Sequence, residues 1–106
     1  MIKHIGMFTL KEEHGGKSKE ENASQILANV AGLRAGIPGI RHIEAGRPFV
    51  DARVAFPQAD MAVYVEFETL EDYEAYFNHP KHREAAAFAA SVSAAVAGIT
   101  YVVEGS

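Results

Sequence analysis

Two stretches with helical spacing, each flanked by extended segments, constrain this chain more than any other feature, because they fix the order of its elements as βαββαβ. The sharpest strand pattern is Met61 to Phe67, where Met61, Val63, Val65 and Phe67 alternate with Ala62, Tyr64 and Glu66. A period of two places the first set on one face of a sheet. Ile2 to Leu10, rich in β-branched and aromatic residues, predicts a first strand with Ile2, His4, Gly6, Phe8 and Leu10 on one face. Lys11 to Lys19 is polar, contains Gly15-Gly16, and predicts a loop. Ser18 with Glu21 three residues on forms a capping-box pattern for the first helix, whose Ala23, Ile26, Leu27, Val30, Ala31 and Leu33 make one apolar stripe. Gly36, followed by Pro38 and Gly39, stops it.

Ile40 to Arg47 predicts a second strand, and Phe49 to Asp60, with Pro57 and no period, predicts a long connection available for an interface. Thr69 caps a second helix carrying Leu70, Tyr73, Tyr76 and Phe77, with Asp72 as an acidic variant of the capping box. His79-Pro80 interrupts it, since proline is poor inside a helix and well suited to the first position of a new one. The new helix is predicted from Lys81 to about Ala97, with Gly98 as its stop and Ile99 to Glu104 as the last strand. That order predicts an α+β, ferredoxin-like domain spanning 1–106: a four-stranded antiparallel sheet with both helical regions on one face.

The helices leave the second face of such a sheet uncovered, and here that face reads as too apolar for water. A domain of this size hides only about 60–70% of the surface its unfolded chain exposes. A homodimer with two sheets face to face, closed into a dimeric α/β barrel, answers both problems; a monomer with scattered surface hydrophobes is the competing reading. Ten Lys and Arg stand against fourteen Asp and Glu, a net charge of −4, which argues against nucleic acid as a partner. The absence of cysteine excludes disulfide scaffolds, Cys-ligated metals and thiol catalysis. The N-terminal residues lack a signal-peptide layout and no apolar run approaches the ~18 residues of a membrane span, so a cytoplasmic protein with no membrane association is expected. No serine sits in a strand–turn–helix elbow. Gly15-Gly16-Lys17-Ser18 is no phosphate loop, because Lys11 stands where its first glycine belongs.

Several segments together resemble the stress-responsive A/B barrel domain family: Ile2-Lys3-His4-Ile5-Gly6-Met7-Phe8, Ile37-Pro38-Gly39-Ile40 with Glu44 and Gly46, and Phe67-Glu68-Thr69-Leu70-Glu71-Asp72-Tyr73. The most specific piece is Tyr76 followed by His79-Pro80-Lys81-His82. The resemblance covers almost the whole chain and implies a dimeric ferredoxin-like barrel. Few members have a known biochemical role; in one, a plant polyketide cyclase, a cofactor-free aldol-type reaction uses residues that fall here on His82, as base, and on Tyr76 and His4, lining the pocket. Cofactor and metal are accordingly expected to be none, and a small apolar carbonyl compound is the implied ligand.

The residues by themselves leave alternatives open. His82 lies in the first turn of a helix, where the positive helix end and the flanking Lys81 and Arg83 disfavour imidazolium, and a neutral imidazole is what a general base requires. It equally reads as a histidine packing the helix junction. Tyr76 reads as a holder of a substrate carbonyl or as a core aromatic. His4, beside a hollow left by Gly6, reads as a site residue or as a half-buried histidine bonded to a carbonyl. His79 and His82, with His4 as a third ligand, would make a zinc site only if their rings converge, and carboxylates would hold magnesium or calcium only loosely. His79 otherwise bridges the two helix segments, and His14 and His42 read as surface residues without partners. Two function classes follow: a cofactor-independent enzyme performing proton transfer on a carbonyl compound, with Phe8, Val63 and Phe88 as walls, or a non-catalytic stress-related or ligand-binding dimer. An oxygen-dependent or haem-degrading enzyme shares the topology by analogy only.

Overall fold

The computed structural model describes residues 1–104. Its elements run β1 (Ile2–Leu10), β2 (Glu13–His14), β3 (Lys17–Ser18), α1 (Lys19–Gly36), β4 (Ile40–Gly46), β5 (Met61–Phe67), α2 (Leu70–Asn78), α3 (Pro80–Val92) and β6 (Ser93–Val102). The main sheet is antiparallel in the order β4-β5-β1-β6. Met61, Val63, Val65 and Phe67 are buried as their alternation requires, together with Ile2 and Leu10 of β1 and with Ala23, Ile26, Val30 and Leu33 of α1. This single cluster between sheet and helices is the core, each of its larger aliphatic side chains contributing about 1.5–3 kcal/mol of burial. No helix among the described residues is long and apolar enough to cross a membrane.

The caps form where the local sequence places them. The Ser18 hydroxyl accepts from the Glu21 amide at 3.2 Å while the Glu21 carboxylate accepts from the Ser18 amide at 3.1 Å. Thr69 accepts from the Asp72 amide at 3.1 Å. The Asp72 carboxylate instead packs where a Cβ on Gly39 would stand, 2.7 Å away.

Two segments depart from the expected pattern. Lys11 to Lys19 contains a small hairpin, β2–β3, turned by Gly15 and Gly16 at φ +62° and +77°. Positive φ at both central positions is the geometry of a tight hairpin turn and suits glycine. The buried Asn22 of α1 donates to the His14 and Lys17 carbonyls at 3.3 and 3.5 Å and so fastens the hairpin to the helix. At the other end, α3 stops at Val92 instead of continuing to about Ala97, and β6 begins at Ser93 instead of Ile99. Pairing decides this. β1 is nine residues long, and Thr9, Phe8 and Met7 need Ala95, Val96 and Ala97 opposite them. The ladder hydrogen bonds outweigh a helix preference that amounts to a few tenths of a kcal/mol per residue. Gly98 is therefore no helix stop: it lies mid-strand opposite Gly6, and a Cβ on it would come within 2.9 Å of the Ile5 carbonyl oxygen.

The second sheet face is divided. Ile5 and Met7 of β1 lie beside Ala97 and Ile99 of β6, with Met7 and Ile99 exposed, whereas Tyr64 donates to Glu66 at 2.6 Å under the Lys3 amine. His42 is not partnerless, for its Nε2 lies 2.6 Å from Glu44. The connection 47–60 exposes Phe49, Val50 and Phe56. Its ends are fixed: Arg47 pairs with Glu20, and Asp60 meets both the Phe8 carbonyl and the Leu10 amide.

Gly98→Ala should lose about 1–3 kcal/mol of stability, because backbone rather than a flexible side chain opposes the added methyl. Gly46→Ala, which meets open space, should stay within about 0.5 kcal/mol; urea unfolding of both variants compares them directly.

Candidate active site

The break between α2 and α3 shows how His79-Pro80-Lys81-His82 is used. A continuing helix would bond the amide of residue 80 to the Tyr76 carbonyl and that of residue 81 to the Phe77 carbonyl. Pro80 has no amide hydrogen, and the His79 amide takes the Tyr76 carbonyl at 3.1 Å. The Lys81 amide donates instead to His79 Nδ1 at 3.1 Å. The Phe77 carbonyl, one of the last four of α2 that a helix leaves unpaired, is thereby left for His82, whose Nδ1 lies 3.3 Å from it. A carbonyl oxygen only accepts, so His82 carries its proton on Nδ1 and its Nε2 is a bare lone pair.

Around this junction the rings of Tyr76 and His82 lie 4.3 Å apart, and those of Phe77 and His82 5.0 Å. His4 reaches the same cluster from β1, edge-on to Phe77 at 5.6 Å. The structure thus brings His4, Tyr76 and His82 around one aromatic ring. Burial pushes the His4 imidazole below its ordinary value. Burial pushes His82 down, the hydrogen bond to the Phe77 carbonyl opposes this, and repulsion from His4 adds a smaller push in the same direction as burial. The flanking Lys81 and Arg83, expected from sequence to hold His82 neutral, are not among these causes. Tyr76 is 3% exposed, and burial raises its phenol to about 12. It is packed against Phe67, Phe77 and His82.

Three contributors escaped the sequence reading. Phe77, 39% exposed, is the common wall of the cluster. Thr100 stands opposite His4 in the β1–β6 register, its hydroxyl 2.7 Å from His4 Nδ1, and the Tyr73 hydroxyl lies 3.1 Å from Thr100. Tyr73 sits one helical turn before Tyr76, a spacing that hints at a shared face; nothing local marks Thr100. The partner of His4 is therefore a hydroxyl and not a carbonyl. The hollow expected at Gly6 is taken by the Phe8 ring, 3.3 Å from where a Cβ would stand. Of the expected walls, Phe8 packs against the core, Val63 is a core residue, and Phe88 belongs to a separate groove between α1 and α3. Among the described residues no three His, Asp or Glu side chains gather at metal-binding spacing, and His79 is engaged at the helix junction.

Fold and junction together define a ferredoxin-like domain with a histidine-bearing corner under its edge strand. The chain belongs to the family of the stress responsive A/B barrel domain, whose profile matches residues 2–103. Among solved structures it is similar to a dimeric protein of unknown function and ferredoxin-like fold from Bacteroides fragilis, at 27% identity and TM-score 0.79, covering 96% of this chain and 95% of that one. A Dabb family protein from Mesorhizobium loti matches at 26% identity and TM-score 0.71, covering 98% and 97%. A hydroxynitrile lyase from Passiflora edulis matches at 17% identity and TM-score 0.83, covering 99% and 94%, a likeness of fold alone. Comparison with curated protein sequences finds no match.

Because His4 and His82 are held below their ordinary 6.5, their contribution to stability is complete above that value. It is lost as the pH falls below 6.5 through the lowered folded-state values, since the unfolded chain then binds protons the fold resists. Unfolding free energy measured by urea titration should decline through this window, and a His4→Asn/His82→Asn double variant should decline less steeply.

Proposed function

We propose that this domain is a homodimer whose His4, Tyr76 and His82 corner performs proton transfer beside the carbonyl of a small apolar, polyketide-like compound, in an aldol-type reaction without a cofactor. The observation that carries the reading is the His82–Phe77 contact, which leaves Nε2 of a neutral imidazole unprotonated. Removing a proton next to a carbonyl needs such a base and a donor for the enolate oxygen. His82 is the base, His4 the polarising group and Tyr76 a packing partner that orients the His82 ring. The dimer is supported by the exposed Met7 and Ile99 on the open sheet face, by Phe49, Val50 and Phe56 on the connection 47–60, and by the dimeric relative from Bacteroides fragilis.

A second reading, a stress-related or ligand-binding dimer without turnover, is favoured by the depth of Tyr76 and by two open grooves that lie elsewhere, one between α1 and α3 and one under residues 47–59. Deuterium exchange into the methyl group of acetophenone, followed by NMR, separates the two. On the enzyme reading the wild-type protein accelerates exchange, and His82→Ala loses about 10²–10⁴-fold of that acceleration. Full exchange by a folded, dimeric His82→Ala would refute the base. A change in melting temperature alone, with no acceleration by wild type, would support the second reading. Light scattering during size exclusion should return twice the 11.5 kDa chain mass, and a clean monomer would remove the dimer.

A further inference from the structure

The Tyr73, Thr100 and His4 side chains form a chain of polar atoms from α2 across β6 to β1, with steps of 3.1 and 2.7 Å. Each hydroxyl in this chain has one proton to donate and two lone pairs to accept with, so the direction of the chain fixes which nitrogen of His4 carries the proton. A phenol is the stronger donor and weaker acceptor of the two hydroxyls, and the Tyr73 hydroxyl lies within hydrogen-bond distance of Thr100. With the Tyr73 proton given to Thr100, the Thr100 proton is free for His4 Nδ1, and their 2.7 Å separation is shorter than the usual N–H···O length and matches a hydroxyl donating to the ring. We propose that Tyr73 and Thr100 are positioning residues that hold His4 as the tautomer with its proton on Nε2.

The consequence rests on the enzymatic reading above. His82 is fixed by the Phe77 carbonyl with Nε2 bare, whereas His4 is fixed by two hydroxyls with Nε2 protonated. Two like residues around one Phe77 ring become one acceptor and one donor. When a C–H proton passes to His82 Nε2, the bonding pair becomes the C=C of the enolate and the negative charge falls on its oxygen. The His4 Nε2–H is the donor suited to that oxygen.

The test is the state of His4 and needs no substrate. Long-range proton–nitrogen correlation on nitrogen-15-labelled protein, above the titration range of its histidines, should show the His4 proton on Nε2 and the His82 proton on Nδ1. Thr100→Val keeps the branched shape and removes the hydroxyl; Tyr73→Phe keeps the ring packed on Phe67 and Phe77. In both, the two His4 nitrogen shifts should move toward each other as the second tautomer mixes in, with His82 unmoved. Thr100→Ser should restore the wild-type pattern, and the backbone amide spectrum reports whether each variant is folded. A His4 proton on Nδ1 in the wild type, or His4 shifts unmoved in either folded variant, would overturn the proposal. If the tautomers are as stated but His82→Ala leaves exchange intact, the enzymatic reading fails and the hydroxyl relay stands.

Discussion

The pairing of β1 with β6 along almost the whole of both strands is the constraint on which the rest of this structure depends. It ends α3 five residues earlier than its alanine content suggests, places Gly98 against Gly6 where two backbones pass closely, and sets Thr100 opposite His4. Had the helix continued to Ala97, β1 would have had open ladder groups along the half of its length that now meets 93–97, and such groups must be paired or solvated. The same register decides the far face of the sheet, because a slip of one residue would exchange Ile99 for Gly98 beside Ile5.

The histidine corner arises from a second backbone account, that of the α2–α3 junction. Proline removes one donor, the His79 ring captures another, and a helix-terminal carbonyl remains to receive the His82 ring. Each step satisfies a backbone group first; the unprotonated Nε2 on His82 is a by-product of that satisfaction. A histidine junction of purely structural origin therefore has the same starting geometry as a general base. What bears on the difference is the surrounding burial that pushes the ring toward its neutral form and the presence of a second imidazole, His4, around the same Phe77 ring.

What could be read from the sequence follows the range of each interaction. The alternation of Met61 to Phe67, the Ser18–Glu21 cap and the break at His79-Pro80 are encoded within a few residues, and they stand in the structure where local chemistry puts them. Ala94, Ala95 and Ala97 have small side chains with no strong claim on either conformation beyond a weak helical one, and only a partner strand more than eighty residues away settles the segment. The histidine and tyrosine of the corner were visible as residue types. Their partners were not, since Thr100 meets His4 through sheet register and Tyr73 meets Thr100 through the docking of α2 over the sheet. The neutrality expected of His82 likewise has a tertiary cause in place of the local charges.

The position of the corner at the edge of the sheet reconciles two demands that oppose each other. An imidazole stays neutral near pH 7 when partly desolvated, yet a base must be reached by its substrate. α1 packs mainly against β4 and α3, so most of β6 is exposed, Val96 and Val102 among its residues at 57% and 62%. His4, on the strand next to that edge, is neither buried nor exposed, and Phe77 covers it without sealing it. Tyr76, one residue earlier on α2, is in the core. The boundary between dry and wet therefore runs across a single turn of α2, with Tyr76 supplying desolvation to His82 from beneath and Phe77 separating the two imidazoles above. The surface of the corner is therefore formed by the exposed Thr100 and Phe77, on the β6 side, while Tyr76 lies beneath them in the core.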